Sequence, residues 1–348
     1  MNHNSGIPFV TVILPVRNEA SSIIASLDSV LHQDYPQERM EILIADGMST
    51  DGTRAIVQEY QNRFGNIFLV DNPGKIVPTG MNLALRRAKG GFIVRVDGHT
   101  VVAPEYISEC LDTYFRTNAD NVGGCMTTIG MTKFGQAIAI ATSTPFGVGN
   151  SRFHYAQVEQ EVDSVYMGAW PKRTFQKVGL FDEELVRDQD DEFNYRTKSL
   201  NGKIILNPLI KSTYTVRNSP QALWKQYYQY GFYKVRVLQK HPRQMSLRQF
   251  IPPFLVLSLM VAFACSLIFS RGWIILTSLI GIYLLANLGA SLITSFSKGL
   301  RFFPLLPLTY AILHLSYGLG FLAGLVRFWN RWSDKEGKVP KFEEIDSN

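Results

Sequence analysis

The sequence predicts an α/β fold in which a doubly wound sheet domain is followed by a helix at the membrane interface and a small all-α transmembrane region. Two features carry this prediction. Up to about residue 245, short apolar runs alternate with amphipathic stretches and polar turns. Beyond that point the chain is almost continuously apolar, whereas helices on the surface of soluble proteins keep a polar face.

Four short apolar runs predict the strands of the sheet, because buried parallel strands are rich in β-branched and other apolar residues. The runs are residues 9–16, 40–47, 66–72 and 91–98. Helix-like segments lie between them. In residues 18–33, for example, Ile23, Leu27 and Val30 fall on one helical face. This alternation predicts parallel strands joined by right-handed crossovers.

The segment that follows the sheet domain is aromatic and basic at the same time. Residues 219–242 read SPQALWKQYYQYGFYKVRVLQKHP, which predicts an amphipathic helix in the plane of the membrane interface. A helix packed on the sheet domain is the alternative. The predicted organisation is a sheet domain at residues 1–218, an interfacial helix and juxtamembrane linker at 219–249, membrane helices at 250–328 and a polar tail at 329–348.

Three stretches near the C-terminus are apolar enough to form membrane helices, at residues 250–270, 273–296 and 302–328. Each is long enough to cross about 30 Å of hydrocarbon. Their flanks disagree about topology, because the linker after the second stretch and the tail after the third are both basic, and basic flanks favour the cytoplasmic side. Three full crossings are favoured, and a last segment that re-enters on the same side stays open.

Composition excludes several other classes of protein. The net charge is +6, but no long basic run and no nucleic-acid motif occurs, so nucleic acid is not an expected partner. Basic residues beside the apolar stretches instead predict contact with anionic membrane lipids. The three cysteines are scattered, which predicts neither a paired metal site nor a disulfide framework. No basic region precedes the first apolar run, so we interpret that run as a strand rather than a signal peptide and expect the first domain in the cytoplasm.

Acidic residues follow the predicted strands. Asp46, Asp51 and Asp97 lie in loops at strand ends, and in a doubly wound sheet such loops share one edge. No glycine-rich phosphate loop is present, so a diphosphate bound at this edge would need a divalent cation, Mg²⁺ or Mn²⁺. Asp97 and His99 offer a carboxylate and an imidazole, both of which Mn²⁺ accepts. A strand-end turn with a solvated His99 is the alternative.

A second acidic segment, residues 187–196 (RDQDDEFNYR), packs four carboxylates between two arginines. An exposed first turn of a helix explains it without any function, since acidic residues favour that position. A catalytic base explains it as well, because neighbouring carboxylates raise the pKa of one of their number while an arginine restrains the shift.

Four motifs occur in order along the chain: VTVILPVRNE, ILIADGMSTDGT, VRVDGHT and RDQDDEFNYR. Together they resemble inverting glycosyltransferases of family 2, which have the GT-A fold, and they are most similar to the bacterial exopolysaccharide type used in succinoglycan-like assembly. The resemblance covers roughly residues 8–240, and the apolar C-terminal segments also match this group. It implies a nucleotide-sugar-binding sheet domain of GT-A type.

The resemblance also implies a donor site. Pro15, Arg17 and Glu19 would lie near the base and ribose of the donor, Asp46 would meet the edge of a uracil, and Asp97 would bind the donor and the metal. Two departures from the family pattern stand out. Ala45 replaces the first of two aspartates, and His99 takes the last place of the Asp-x-Asp metal motif.

The same resemblance places the catalytic base in the second acidic segment. Asp190 aligns with the base, with Asp191 as the neighbouring alternative, while Glu192 and Arg196 are in register with the family pattern. Trp170 falls in the region that shapes the acceptor pocket. Packing in the core is the alternative for this tryptophan.

The implied enzyme is bound to the cytoplasmic membrane through several spans, with its catalytic domain facing the cytoplasm. It would move a sugar from a nucleotide donor, a UDP-sugar, to a polyprenyl-linked glycan for cell-surface or exopolysaccharide synthesis. Membrane lipids and polysaccharide-assembly proteins are the other expected partners. Two alternatives stay open: transfer directly to polyprenyl phosphate, and a non-catalytic scaffold in an assembly complex.

Overall fold

The computed structural model describes residues 6–149 and 156–342. The chain divides into two compact units. The sheet unit comprises Met1–Thr127, Arg152–Tyr214 and Glu336–Asn348, and the helical unit comprises Thr128–Ser151 and Thr215–Lys335. This division differs from the predicted boundaries in two places, because residues 128–151 belong to the helical unit and the tail from residue 336 belongs to the sheet unit.

Within the described residues, nine strands form one sheet in the order β3-β2-β1-β4-β8-β6-β9-β5, and β7 pairs with β9. The strands are β1 Val10–Val16, β2 Met40–Asp46, β3 Ile67–Asp71, β4 Phe92–Arg95, β5 Thr100–Val102, β6 Asn121–Ile129, β7 Gln160–Glu161, β8 Tyr166–Pro171 and β9 Ile204–Thr215. The four predicted strands are β1 to β4, and they are parallel to one another as predicted.

The other half of the sheet was not predicted. β4 pairs antiparallel with β8, placing Ile93 opposite Trp170, and β6, β7 and β5 also form antiparallel pairs. The sheet is therefore mixed rather than wholly parallel. These strands come from distant parts of the sequence, so no local alternation of strand and helix predicts them.

Among the described residues, twelve α-helices accompany the sheet or follow it. They are α1 Ile23–Leu31, α2 Thr53–Arg63, α3 Val77–Arg87, α4 Tyr106–Thr117, α5 Lys133–Thr142, α6 Pro145–Val148, α7 Lys172–Val178, α8 Gln189–Ser199, α9 Pro220–Lys240, α10 Ile251–Ile268, α11 Gly272–Lys298 and α12 Leu306–Arg327.

The sheet unit has an apolar cluster on each face of its parallel strands. Along β1, Val12 and Leu14 belong to one cluster and Ile13 to the other, because successive side chains of a strand point to opposite faces. Burial on both faces explains why β1 and β2 are mostly apolar rather than alternating between apolar and polar residues.

The helical unit contains three helices that are long and apolar enough to cross a membrane. They span Leu247–Ile268, Gly272–Lys298 and Leu306–Arg327, and the first includes a short 3₁₀ turn before α10. They are not equivalent: half of the most apolar window of α12 is buried inside the protein, against 22% and 17% for the other two.

Glycines bring α9 and α12 into close backbone contact. A Cβ atom added at Gly320 would lie 2.0 Å from the Tyr228 carbonyl oxygen, and one added at Gly231 would lie 2.0 Å from the Tyr317 carbonyl oxygen. No side chain fits at these distances, so the two helices pack through their backbones. Residues 320–324 (GFLAG) have the small-xxx-small spacing that allows helices to approach this closely.

Substituting Gly320 with alanine is therefore expected to destabilise the protein by about 1–3 kcal/mol, the usual cost of forcing extra atoms into a packed interface. The measurement is thermal unfolding in detergent. Gly281→Ala in α11 is the matched control, because a Cβ atom there meets nothing within 4 Å. An equal loss in both variants would contradict the α9–α12 contact.

Candidate active site

A buried arginine joins the two predicted acidic sites of the sheet unit. The Arg95 side chain at the end of β4 is only 4% exposed. Its Nε donates to Asp97 Oδ1 at 2.7 Å, and its Nη1 donates to Asp190 Oδ1. Asp97 follows β4 and Asp190 lies in the first turn of α8, so Arg95 holds the predicted donor-binding aspartate and the predicted base on one guanidinium group.

Sequence reasoning missed Arg95, although a signal was present. The run GFIVRVDG is apolar except for Arg95 and Asp97, and a buried guanidinium requires anionic partners because its desolvation is otherwise too costly. An arginine within a buried strand that ends in an aspartate therefore predicts a carboxylate partner nearby.

The surroundings of Asp190 suit a general base. Burial raises the pKa of its carboxyl group, the positive charge of Arg95 works in the opposite direction, and Asp97 raises the pKa further. The first turn of α8 also favours an anion. About a third of the side chain is exposed, so a ligand can reach it. A base is most effective when its pKa approaches the working pH, and this cluster shifts the pKa in that direction.

Asp191 has a different environment. Its Oδ1 accepts a hydrogen bond from the Ser164 hydroxyl at 3.2 Å, and that hydroxyl accepts one from the Asn194 amide at 3.1 Å. The Asn194 side-chain oxygen in turn accepts a hydrogen bond from the side-chain amide of the buried Asn121 at 2.8 Å. Asp191 thus belongs to a polar chain that fixes α8, whereas Asp190 meets Arg95 and, through it, Asp97. This difference favours Asp190 as the base.

Glu192 and Arg196 hold α8 in place. Glu192 is buried, and both its oxygens accept from the Arg196 guanidinium, at 2.7 and 2.9 Å. The same guanidinium donates to the carbonyl oxygens of Val178 and Leu180, at 2.6 and 2.8 Å. Arg196 therefore holds α8 against the segment at residues 178–180. The arginine that lies beside Asp190 is Arg95.

The loops after β1 and β4 bring Glu19 and His99 together. His99 Nδ1 lies 3.1 Å from Glu19 Oε1, and the other oxygen of Glu19 accepts from the Ser22 hydroxyl at 2.9 Å. Carboxylate oxygens and an imidazole are ligands that Mn²⁺ accepts, and Asp97 offers a further carboxylate two residues before His99. Among the described residues, however, no three acidic, histidine or cysteine side chains are placed to hold an ion by themselves. A cation here would take further oxygens from its ligand, as divalent cations commonly do from substrate phosphates.

Asp46 lies at the end of β2 with its side chain fully buried. Arg54 Nη1 donates to its Oδ2 at 2.7 Å, and the Ser49 backbone amide donates to the same oxygen at 3.1 Å. Arg54 Nη2 also reaches Asp71 at 2.7 Å. The predicted contact with a base edge would therefore have to displace Arg54, a second arginine that sequence reasoning did not single out.

The remaining predicted donor residues lie on β1 and directly after it. Pro15 is buried in the strand opposite Ala45, so it shapes the backbone rather than presenting a side chain. Arg17 is exposed, and its Nη1 lies 3.4 Å from the Lys75 carbonyl oxygen. Their predicted roles stay predictions.

Trp170 is a core residue in this structure. It is 2% exposed and makes edge contacts with the rings of Phe175, Phe181 and Phe193, at centroid distances of 5.6 to 6.0 Å. This position agrees with the packing alternative. It gives no support to a direct contact with the acceptor.

Four parallel strands, an antiparallel extension and acidic residues at the strand ends define the class of this protein. It is an enzyme with the mixed, curled sheet of GT-A glycosyltransferases. Residues 11–180 match the family described as glycosyl transferase family 2, so the chain carries a glycosyltransferase domain of that family.

Two relatives match over almost the whole chain. The succinoglycan biosynthesis protein ExoA of Rhizobium meliloti (strain 1021) is 26% identical over 92% of this chain and 96% of its own length. A Methanococcus voltae protein is 27% identical over 92% of this chain and 98% of its own. That protein is named dolichyl N-acetyl-alpha-D-glucosaminyl phosphate 3-beta-D-2,3-diacetamido-2,3-dideoxy-beta-D-glucuronosyltransferase.

Solved structures show the same fold. The mannosyltransferase PcManGT from Pyrobaculum calidifontis, in complex with GDP-Man and Mn²⁺, has a TM-score of 0.58 and 18% identity, covering 91% of this chain and 88% of that one. TarS residues 1–349 of S. aureus in complex with UDP-GlcNAc have a TM-score of 0.51 and 19% identity, covering 97% and 99%.

Proposed function

We propose that this enzyme is a membrane-bound inverting glycosyltransferase that moves a sugar from a nucleoside diphosphate donor, a UDP-sugar, to a lipid-linked sugar at the cytoplasmic face of the membrane. The observation that carries the proposal is the Arg95 bridge between Asp97 and Asp190. It places a carboxylate of raised pKa beside the aspartate at the donor edge of the sheet.

Inverting transfer is a single displacement at the anomeric carbon of the donor. The acceptor hydroxyl oxygen forms the new bond, the bond to the diphosphate breaks, and the leaving diphosphate takes the bonding electron pair. The hydroxyl proton passes to the Asp190 carboxylate, which must therefore be within hydrogen-bond reach of the acceptor. Arg95 positions Asp190 for this step and keeps it anionic.

Asp97, His99 and Glu19 are the residues that would hold a divalent cation. When bound, Mg²⁺ or Mn²⁺ supplies positive charge that stabilises the leaving diphosphate. Arg95 already neutralises part of the Asp97 charge. We infer that these residues bind the cation weakly until a donor diphosphate adds its own oxygens.

Removal of divalent cations is expected to abolish transfer, and Mn²⁺ is expected to restore it better than Mg²⁺ because one predicted ligand is an imidazole. His99→Asp should keep the metal requirement but lose the preference for Mn²⁺. The measurement is turnover after exhaustive chelation and re-addition of each ion. Full activity without metal, or an unchanged preference in His99→Asp, would remove the metal or His99 from this role.

The acceptor class rests on the names of the relatives. The Methanococcus voltae enzyme is named for an acceptor that is a sugar on a dolichyl phosphate, and the Rhizobium protein is named for succinoglycan biosynthesis. The name of the Methanococcus voltae enzyme favours a lipid-linked sugar over bare polyprenyl phosphate as the acceptor. The three apolar helices, which are long enough to cross a membrane, support the proposed membrane location. A cytoplasmic catalytic domain follows from this proposal, since nucleotide sugars are made in that compartment.

A transfer assay with purified protein in detergent tests this proposal. Nucleotide sugars are supplied one at a time, with either a polyprenyl diphosphate sugar or polyprenyl phosphate as acceptor, and Asp190→Asn serves as the inactive control. We expect transfer to the lipid-linked sugar. Transfer only to polyprenyl phosphate would replace this function by synthesis of a lipid-phosphate sugar, and donor turnover equal to that of Asp190→Asn would contradict it.

A further inference from the structure

The described residues from 336 onwards belong to the sheet unit, although about 120 residues of the helical unit precede them. We call residues 336–342 the C-terminal strap. Its backbone pairs with the segment after α7: the Leu180 amide donates to the Pro340 carbonyl at 3.0 Å, and the Glu183 amide donates to the Lys338 carbonyl at 2.9 Å. The Lys338 amide donates to the Asp182 carboxylate at 2.9 Å.

Side chains also hold the strap on the sheet unit. Phe342 packs on the cluster that contains Trp170, with its ring centroid 6.5 Å from that of Phe175. The Lys172 ammonium lies 5.6 Å from the centre of the Phe342 ring. Hydrogen bonds and apolar contacts together make the strap an integral piece of the unit that begins with β1.

The last apolar helix, α12, runs alongside α9 and parallel to it. Tyr228 of α9 meets Gly320 of α12, and Phe232 meets both Gly324 and Phe328. The residue numbers of the contacting pairs therefore increase in the same direction along both helices. α9 is a poor candidate for a membrane span, because Lys234, Arg236 and Lys240 are charged and buried within it. α12 thus packs along a helix that belongs outside the hydrocarbon.

The chain after α12 stays beside the end of α9. The Arg236 guanidinium, which is fully buried, donates to the backbone carbonyl of Arg331 at 3.2 Å and lies 3.4 Å from the Asp334 carboxylate. The strap begins two residues later. The chain between the end of α12 and the start of the strap is too short to return across a bilayer about 30 Å thick.

We propose that only α10 and α11 cross the membrane, as a helical hairpin, and that α12 remains with α9 at the interface on the side of the sheet unit. The sheet unit contains chain from before and after the three apolar helices, so the number of full crossings is even. α12 is the helix left out, because it is the most buried of the three and packs on α9. This inference rests on the proposed membrane location and not on the proposed chemistry.

The two-crossing arrangement also satisfies the charges that were in conflict. The linker with Lys298 and Arg301 then lies on the cytoplasmic side, and so does the basic tail after α12. Only the short turn at residues 269–271 is outside, with Arg271 as its one charge. α12 is a continuous helix of 22 residues. In the two-crossing arrangement it stays on the cytoplasmic side without any break in the helix.

Cysteine labelling tests this topology. Cys110, Cys125 and Cys265 are replaced, and single cysteines are introduced at three exposed positions: Ser270 in the hairpin turn, Ser333 after α12 and Gln61 in α2 of the sheet unit. A membrane-impermeant maleimide is added to spheroplasts of the expression host, before and after the membrane is opened. We expect Ser270→Cys to be labelled before opening, and Ser333→Cys and Gln61→Cys only afterwards.

Labelling of Ser333→Cys in closed spheroplasts, as fully as Ser270→Cys, would establish three crossings and overturn the proposal. Protection of Ser270→Cys would also overturn it, because the hairpin would then not cross. Lys335→Cys provides a second position after α12 and must behave like Ser333→Cys. Release of the protein by alkaline carbonate would contradict the membrane location itself, separately from the number of crossings.

Discussion

Replacing Asp190 with asparagine is expected to lower turnover by about 10²–10⁴-fold, the usual cost of losing a general base. The amide keeps the shape of the side chain and a hydrogen-bonding oxygen for Arg95, so the fold should persist. Donor binding should change little, because the proton is taken from the acceptor. The measurements are turnover with saturating substrates and donor affinity by calorimetry.

Asp191→Asn is the matched control for this experiment. Asp191 is the next residue in α8, but its Oδ1 accepts from Ser164 rather than from Arg95. We expect a loss of stability with turnover reduced far less than in Asp190→Asn. If Asp191→Asn is inactive while Asp190→Asn retains turnover, the base is one residue further along the helix.

Replacing Arg95 with methionine is expected to lower turnover by roughly 10²-fold, because misplacing a catalytic group by about an ångström typically costs that much. It also leaves two acidic side chains near each other without their shared counter-charge. Breaking a buried pair in this way costs about 3–5 kcal/mol, and partial exposure of Asp190 puts the expected loss of unfolding free energy at the lower end. Thermal unfolding and turnover measure the two effects.

The pH dependence separates a positioning role of Arg95 from a purely structural one. Arg95 lowers the pKa of Asp190, so its removal raises that pKa. The base must be ionised to accept a proton, and activity is therefore lost as pH falls through the pKa. We expect the acidic limb of the pH–rate profile to move to higher pH in Arg95→Met and to return towards its original position in Arg95→Lys. An unmoved limb would show that Arg95 acts only on stability.

Local patterns in the sequence predicted the parallel half of the sheet and the residues at its edge. β1 to β4 were predictable because each is a short apolar run followed by a helix with its own periodicity. The antiparallel half was not, because pairing of β4 with β8 joins residues that lie far apart in the chain. Periodicity indicates which residues are buried, but it does not indicate which strands pair.

The candidate site shows the same limit. Asp97 and Asp190 were each recognisable from their motifs, yet the residue that joins them was not, because Arg95 and Asp190 are 95 positions apart. The strap was predicted only as part of a polar tail for a similar reason. Its short sequence has no periodic pattern, and its partners lie well over a hundred residues earlier.

The contacts of the strap also determine the order in which parts of the enzyme can assemble during synthesis. The carbonyl of Lys341 accepts from Arg86, 255 positions earlier, so this contact forms only when nearly the whole chain has left the ribosome. Synthesis from β9 to the strap takes on the order of ten seconds at typical rates, and α10 and α11 emerge during that interval. The loop that leads to α8, the helix of Asp190, thus receives its last support after α10 and α11 have been made. We expect the catalytic unit to mature on the membrane, and not as a finished enzyme in the cytosol.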